Sequence, residues 1–397
     1  MHSVGCCCMK YMGHKGKLLP ILGEILVEES RHARRIADPF CGSGAVSWFL
    51  AENSDKALVS GDLQSFAVAR AASVIERTAP VDSASLLRTW FHRARAIVAT
   101  VADHFPNATR SVAAEYVTSE DIRYVVSRSR TFSQTVLPQL LDRIGGAFPM
   151  ARAYGGHYFS PLQAIELDAL RQTLPDDEDC RKVALGALIE AASKCAAAPG
   201  HTAQPFQPTI SAAKYIVEAW NRNVWDIVSH AVDSISGTYA RVAGEARAGD
   251  FVQSIDALEG GDLVFADPPY SDVHYSRFYH VLETLARGKE ISVFGKGRYP
   301  PFADRPVSDF SRKGQSLAAA KALVDACARR EVNLVLTFPS VGASNGLAAA
   351  DFVELGAGKF SSIQTHEIAS NFSTLGGGPE TRGGRKVCVE SIVCFRV

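Results

Sequence analysis

The chain lacks a net charge. Its 42 lysines and arginines balance 42 aspartates and glutamates, so no global field draws it to a polyanion, and any such partner must be met by a local basic patch. Apolar runs approaching the roughly 18 residues of a membrane-spanning helix are missing, and no stretch reads as a signal peptide. The expectation is a protein of neither the membrane nor the secretory pathway. Nine cysteines lie scattered along the chain without a single C-x-x-C pair, so neither a zinc site nor a disulfide framework follows, and a reducing, cytoplasmic compartment is expected. The glycine loop Gly42-Ser43-Gly44 has no third glycine, which speaks against a dinucleotide site.

What is present is chemistry at the ends of apolar runs. Leu263-Val264-Phe265-Ala266 reads as a buried strand, and Asp267-Pro268-Pro269-Tyr270 follows it directly. An open α/β sheet places its chemistry at the carboxyl ends of its strands. Two prolines stiffen this turn and remove two amide donors, leaving the Asp267 carboxylate and backbone carbonyls as acceptors beside a flat ring. That is a receptor for an aromatic amine; the plainer alternative is a surface turn. A second such junction is Asp38-Pro39-Phe40-Cys41-Gly42-Ser43-Gly44, between a strand-like stretch at Ala33 to Ala37 and a helix-like run from Ala45 to Ala51. Its glycines let the backbone come close to a ligand. Asp62, about twenty residues further on, stands where the next parallel strand would deliver a carboxylate to a ribose diol.

Taken in order, these segments resemble the Dam-like adenine-specific DNA methyltransferases, which use S-adenosylmethionine. The resemblance runs over nearly the whole chain. Lys10-Tyr11-Met12-Gly13-His14-Lys15-Gly16-Lys17-Leu18-Leu19 is similar to the family's first cofactor segment, which implicates Tyr11 and Lys15. Asp38, Phe40, Gly42 and Gly44 belong to the loop that takes the methionine part, Asp62 to the ribose site, and Gly249-Asp250-Phe251 to the pair that brackets the cofactor adenine. Asp267-Pro268-Pro269-Tyr270 is similar to the catalytic motif, with Asp267, Pro268 and Tyr270 as catalytic residues and Asp267 also facing the cofactor. The family-like segment opens near Met9, so the first eight residues are expected to matter little.

The resemblance implies an α/β fold: a Rossmann-like methyltransferase sheet, residues 9–80 and 245–397, carrying an inserted, mainly helical target-recognition domain, residues 81–244. Between Asp62 and Asp250 the alternation of strand and helix gives way to helical stretches such as Ser83 to Val101 and Asp179 to Ala198, too long for a connection within a compact sheet. Tyr154 to Pro161 and Ala191 to His201 resemble segments of some family members. Val332 to Ser340 and Val387 to Phe395 read as further strands, and the glycine-rich Asn371 to Arg385 as a loop that could close over DNA.

The amine chemistry follows from the motif. Adenine's exocyclic nitrogen is a poor nucleophile because its lone pair is delocalised into the ring. Accepting its two hydrogens at Asp267 and the Pro268 carbonyl favours a tetrahedral nitrogen and stabilises the positive charge that develops there. The base must first leave the duplex, and Tyr270 is placed to stack on it. Tyr275, Arg277 and Tyr279 follow on a helix expected to run to about Arg287, and Arg312 and Lys313 lie in a basic stretch beyond; these are the candidate DNA contacts. Relatives often carry Arg-Gln where this chain has Val273-His274. Tyr275 and Tyr279 share a helical face that either meets the substrate or packs in the core. Arg123, Arg128 and Arg130, and Arg382, Arg385 and Lys386, are further basic stretches, each equally readable as a solvated face.

The expected activity is methylation of adenine's exocyclic amine in double-stranded DNA, without a metal. Cytosine's amine is the enzymatic alternative, and a silent DNA-binding relative the non-enzymatic one. A cognate restriction enzyme would be a partner if the chain serves one half of a restriction-modification pair.

Overall fold

The computed structural model describes residues 9, 11, 15, 18–104, 121–372 and 386–397. The basic residues Arg382 and Arg385, the first eight residues and the stretch 373–385 lie outside these. Among the described residues, no helix is long and apolar enough to cross a membrane.

Seven strands form one sheet: β1 (Arg35–Asp38), β2 (Ala57–Asp62), β3 (Glu245–Ala248), β4 (Leu263–Ala266), β5 (Asn333–Pro339), β6 (Ser362–Phe372) and β7 (Lys386–Arg396), in the order β3-β2-β1-β4-β5-β7-β6. The first five run parallel, and β7 inserts antiparallel between β5 and β6. Every residue of β4 is buried, as the unbroken apolar run requires of a parallel strand covered on both faces. The first strand begins at Arg35, two residues after the expected Ala33, because Ala33 still closes the turn that ends helix α1 (Leu19–Glu29).

The order reverses between β1 and β4, which pair through Ile36 with Leu263 and Ala37 with Val264. This is the topological switch point, where the crevice of an open α/β sheet opens. Asp38 closes β1 and Asp267 follows β4, so two segments more than half the chain apart meet there. Asp62 ends β2 one strand away. Because β7 runs the other way, pairing Glu390 with Pro339 brings Glu390 to the same end of the sheet.

Helices α2 (Ala45–Asn53) and α3 (Ser65–Ile75) follow β1 and β2. Between α3 and β3 the described chain is helical, from Ser83–His104 to Val224–Ser236. These helices share the core of the sheet layer: the largest buried apolar cluster joins Leu22, Phe66, Trp90, Leu188, Leu282 and Cys394. Gly186 makes this possible, since a Cβ there would stand 2.8 Å from Ser73 on α3. The fully buried Arg70 of α3 donates to the Gly186 carbonyl at 3.0 Å, pairs with Glu190 at 3.1 Å and lies 4.3 Å from the Trp48 ring centre. A buried cation is tolerated where a carboxylate offsets its charge and carbonyls take its donors, as Glu190 and Gly186 do here.

Candidate active site

The switch point holds an open cleft. Its walls come from the carboxyl ends of β1, β2 and β4, the turn after β3, the start of the Tyr275–Arg287 helix, and the turn around Pro306 and Ser308.

Asp38 is buried at the end of β1. Its Oδ2 accepts from the Ser47 hydroxyl at 2.6 Å, while Oδ1 has no hydrogen-bond partner. Burial pushes its pKa up to about 7, with the Ser47 hydrogen bond pulling the other way. An unmatched buried acceptor at a cleft wall suits a donor, and a cationic donor would best offset the cost of burying the charge.

Asp62 ends β2 with both oxygens engaged: Oδ2 accepts from the Gly42 amide at 3.0 Å and Oδ1 from the Gln64 amide at 2.9 Å. Burial raises its pKa to about 6, against these two amides. It therefore also ties the glycine loop to the neighbouring strand. Gly42 sits at φ 50° with its Cα beneath Tyr11, whose hydroxyl would lie 2.6 Å from any added Cβ. Gly44, at φ 81°, opens α2 and does not itself reach the cleft wall.

Phe40 and Phe251 stack at 5.4 Å, with Phe310 edge-on to Phe40. Asp250 lines the same wall and caps the short helix Phe251–Asp256 by accepting from the Val252 amide at 2.9 Å. These groups form an aromatic shelf with an acidic edge.

Asp267 is held differently from the other carboxylates. Its Oδ1 accepts from the Thr337 hydroxyl at 2.9 Å and lies 3.0 Å from Lys15 Nζ, and Lys15 also contacts Glu390. Burial raises the Asp267 pKa even against Lys15. Burial alone would lower that of Lys15, but the two carboxylates outweigh it and hold the ammonium charged. Among the lining residues Lys15 is the one cation, against Asp38, Asp62, Asp250 and Asp267. The free capacity of the cleft is thus for positive charge.

Asp267, Pro269 and Tyr270 line the cleft, and Pro268 is buried between them. Asn345, fully buried, donates to the carbonyls of Pro269 and Phe310 at 3.1 Å each and so pins the turn. Tyr270 and Tyr275 interact through their hydroxyls at the cleft wall, both buried enough to be held in the neutral form. Tyr279 takes the packing role of the two expected for it: it is 1% exposed and stacks on Tyr11 at 4.7 Å. It therefore cannot present its ring to DNA, because that face is spent on Tyr11.

Arg277 is exposed on the first turn of the same helix and donates to the Tyr299 hydroxyl at 3.0 Å. Arg312 and Lys313 are exposed just after Ser308, which lines the cleft. The Tyr154 to Pro161 segment supports this helix from behind: the Tyr154 hydroxyl is 2.9 Å from the Thr284 hydroxyl, and the Tyr158 hydroxyl is 2.6 Å from the Thr202 carbonyl and 2.9 Å from that of Gly297. Lys194 pairs with Glu190 at 2.8 Å, and the His201 ring lies against Phe278, so neither stands free as an acid or base.

Sequence reasoning missed Glu390, Thr337, Asn345, Gln64 and Ser276. A signal existed only for Glu390 and Ser391, a polar pair interrupting the apolar strand Val387 to Phe395. Thr337 in the strand reading and Asn345 in a loop carry no local mark of their partners.

Comparison with known proteins places these residues in a family. Residues 11–121 and 221–329 match the family model described as D12 class N6 adenine-specific DNA methyltransferase. Over 57 residues, 14% of the chain, it is 42% identical to Modification methylase LlaI of Lactococcus lactis subsp. lactis, and the match spans 9% of that protein's length.

Proposed function

The chain belongs to the D12 class N6 adenine-specific DNA methyltransferases, and from that premise we propose that it methylates the exocyclic amine of an adenine turned out of duplex DNA, with S-adenosylmethionine as donor. One observation carries the reading. Asp38 and Asp267, at the ends of adjacent strands, face a single cleft, one with an empty acceptor and the other locked in orientation.

The cofactor fits this cleft by charge and shape. The unpartnered Asp38 Oδ1 would take its ammonium, Asp62 its ribose hydroxyls, and Asp250 with the Phe40 and Phe251 rings its adenine. When bound, it supplies an electrophilic methyl group on a sulfonium. Lys15 serves in this reading at the boundary of cofactor and catalytic sites, through its pair with Asp267.

The protein's own contribution is to position and to accept. Asp267 takes one hydrogen of the amine and the Pro268 carbonyl the other, so that positive charge developing on nitrogen meets a fixed carboxylate. Preorganisation matters because the carboxylate need not reorient as charge appears. Tyr270 stacks on the extruded base, returning roughly 1–3 kcal/mol against an unstacking cost of a few kcal/mol. Arg277, Arg312 and Lys313 stand outside on segments that line the cleft and are the proposed phosphate contacts. Residues 81–244 serve as the DNA-recognition part, and 9–80 with 245–397 as the cofactor and catalytic part. A reducing, cytoplasmic setting agrees with the free thiols of Cys41, Cys180, Cys195, Cys327 and Cys394. A cognate restriction enzyme is a partner to be sought in this reading.

The test is transfer of labelled methyl from S-adenosylmethionine to unmethylated duplex DNA, read by nucleoside mass spectrometry and single-molecule sequencing. Methyladenine in one sequence context is the expected product. Methylcytosine would move the assignment to the other amine, and unlabelled DNA with cofactor binding intact would refute it.

A further inference from the structure

We propose that Glu390 is a positioning residue for methyl transfer: acting through Lys15, it commits one oxygen of the Asp267 carboxylate and leaves the other for the substrate amine. The inference rests on the reading of Asp267 as the amine acceptor and assigns a role to a residue outside every recognised motif.

Topology brings Glu390 to the site. A strand running parallel to β5 would deliver its amino end to the opposite edge of the sheet, whereas the antiparallel β7 sets Glu390 against Pro339, beside the crevice. There it is 3% exposed, next to Lys15 at 6%. Two buried charges and a partly buried third are costly, and apolar residues of similar size would commonly be as stable or more so. Stability alone therefore does not account for this trio.

Charge and geometry define that task. Lys15 Nζ at 3.0 Å and the Thr337 hydroxyl at 2.9 Å both address Asp267 Oδ1. No described group donates to Oδ2, which is therefore the oxygen with capacity for the amine. With Lys15 alone, the Asp267 carboxylate would be neutralised and weakened as an acceptor. With Glu390 on the far side of the ammonium, the trio keeps a net negative charge while Lys15 still fixes the orientation of the carboxylate. The groups facing Asp267 are Lys15, Glu390, Thr337, Tyr11, Tyr270, Tyr275 and Asp38. Glu390 is the one among them whose removal would hand the whole Lys15 charge to Asp267.

The experiment measures single-turnover methyl transfer to duplex DNA across pH for the full chain, Glu390→Gln, Glu390→Asp and Asp267→Asn. Cofactor affinity by calorimetry and thermal unfolding are measured in parallel. Glu390→Gln should slow transfer by at least about tenfold, leave cofactor affinity within about twofold, and move the acidic limb of the rate profile to lower pH, because Lys15 then lowers the Asp267 pKa unopposed. Glu390→Asp should recover part of the rate. If Glu390→Gln does not fold, the paired Lys15→Met and Glu390→Met variant removes both charges at once, and it should fold but remain slow. A wild-type rate in Glu390→Gln or in the double variant would overturn the proposal. So would a rate loss that tracks lost cofactor affinity and unfolding temperature without any shift of the acidic limb. Asp267→Asn separates the two levels: its full activity would overturn the acceptor reading itself, whereas an inactive Asp267→Asn beside a normal Glu390→Gln would overturn the role of Glu390 alone.

Discussion

The ends of β1 and β4 carry the same local chemistry, a buried strand followed by Asp-Pro, yet they become different instruments. Asp38 has the Ser47 hydroxyl on Oδ2 and the Phe40 amide nearby, with no well-formed hydrogen bond on Oδ1. Asp267 has a hydroxyl and an ammonium on one oxygen, with a second carboxylate behind the ammonium. A strand-Asp-Pro junction therefore places a carboxylate at the crevice, while its neighbours in the fold decide how it is held. The β1 end is an open acceptor for a cation, and the β4 end is an oriented one.

The largest test of this contrast exchanges charge for amide at each end. Asp267→Asn should cut the rate of methyl transfer by roughly 1,000-fold with cofactor affinity changed only a few-fold. Asp38→Asn should do the reverse, weakening cofactor binding by about tenfold or more with a smaller effect on the rate at saturation. Calorimetry beside single-turnover kinetics reads both, and equal losses in both quantities at both positions would break the distinction.

The two glycines after Asp38 sharpen it further. Gly42→Ala places a methyl 2.6 Å from the Tyr11 hydroxyl at φ 50°, so it should lower stability by about 1–3 kcal/mol and weaken cofactor binding. Gly44→Ala carries a similar backbone strain at φ 81° with its nearest contact 3.0 Å away on Trp48. It should destabilise comparably while affecting the cofactor less, because Gly44 opens the helix without lining the cleft.

A smaller effect separates Asp38 by pH. Its folded pKa of about 7 lies above the unfolded value of 3.8, so the folded state binds more protons in that interval and wild-type stability falls as pH rises through it. Asp38→Asn removes that loss. Its unfolding temperature relative to wild type should climb from about pH 4 to pH 7, and a flat difference would show that Asp38 ionises freely. For the same reason, cofactor affinity in the wild type should improve as pH rises toward 7 and the carboxylate becomes available. The smallest expected effect lies outside the cleft, where Arg312→Ala should lower the salt dependence of DNA binding by about one unit of slope with the methylated sequence unchanged.

Much of the sheet was legible because its signals are local. β4 is an apolar tetrad closed by Asp-Pro-Pro, and the helix from Tyr275 ends at Arg287 as its pattern suggested. The cleft was legible to the extent that its residues sit at strand ends, as Asp38, Asp62 and Asp267 do. Tyr279 shows the limit of periodicity, since its spacing from Tyr275 put both on one face without revealing that Tyr11 would cover one of them. β6 was not foreseen. Its Thr365-His366-Glu367 reads as polar surface and becomes a strand through its long register with β7.

By itself the sequence determined that carboxylates stand at the ends of buried parallel strands, because apolar runs make strands and Asp-Pro ends them. It also determined that the glycine loop could approach a ligand, since φ near 50° and 81° is open to glycine at little cost. Only the tertiary structure decided the state of each carboxylate. Pairing β1 with β4 brought two of them to one crevice, and reversing β7 delivered Glu390 to Lys15 across 375 residues of chain. Ionisation and orientation depend on charges and donors within a few ångströms, and chain separation says nothing about those.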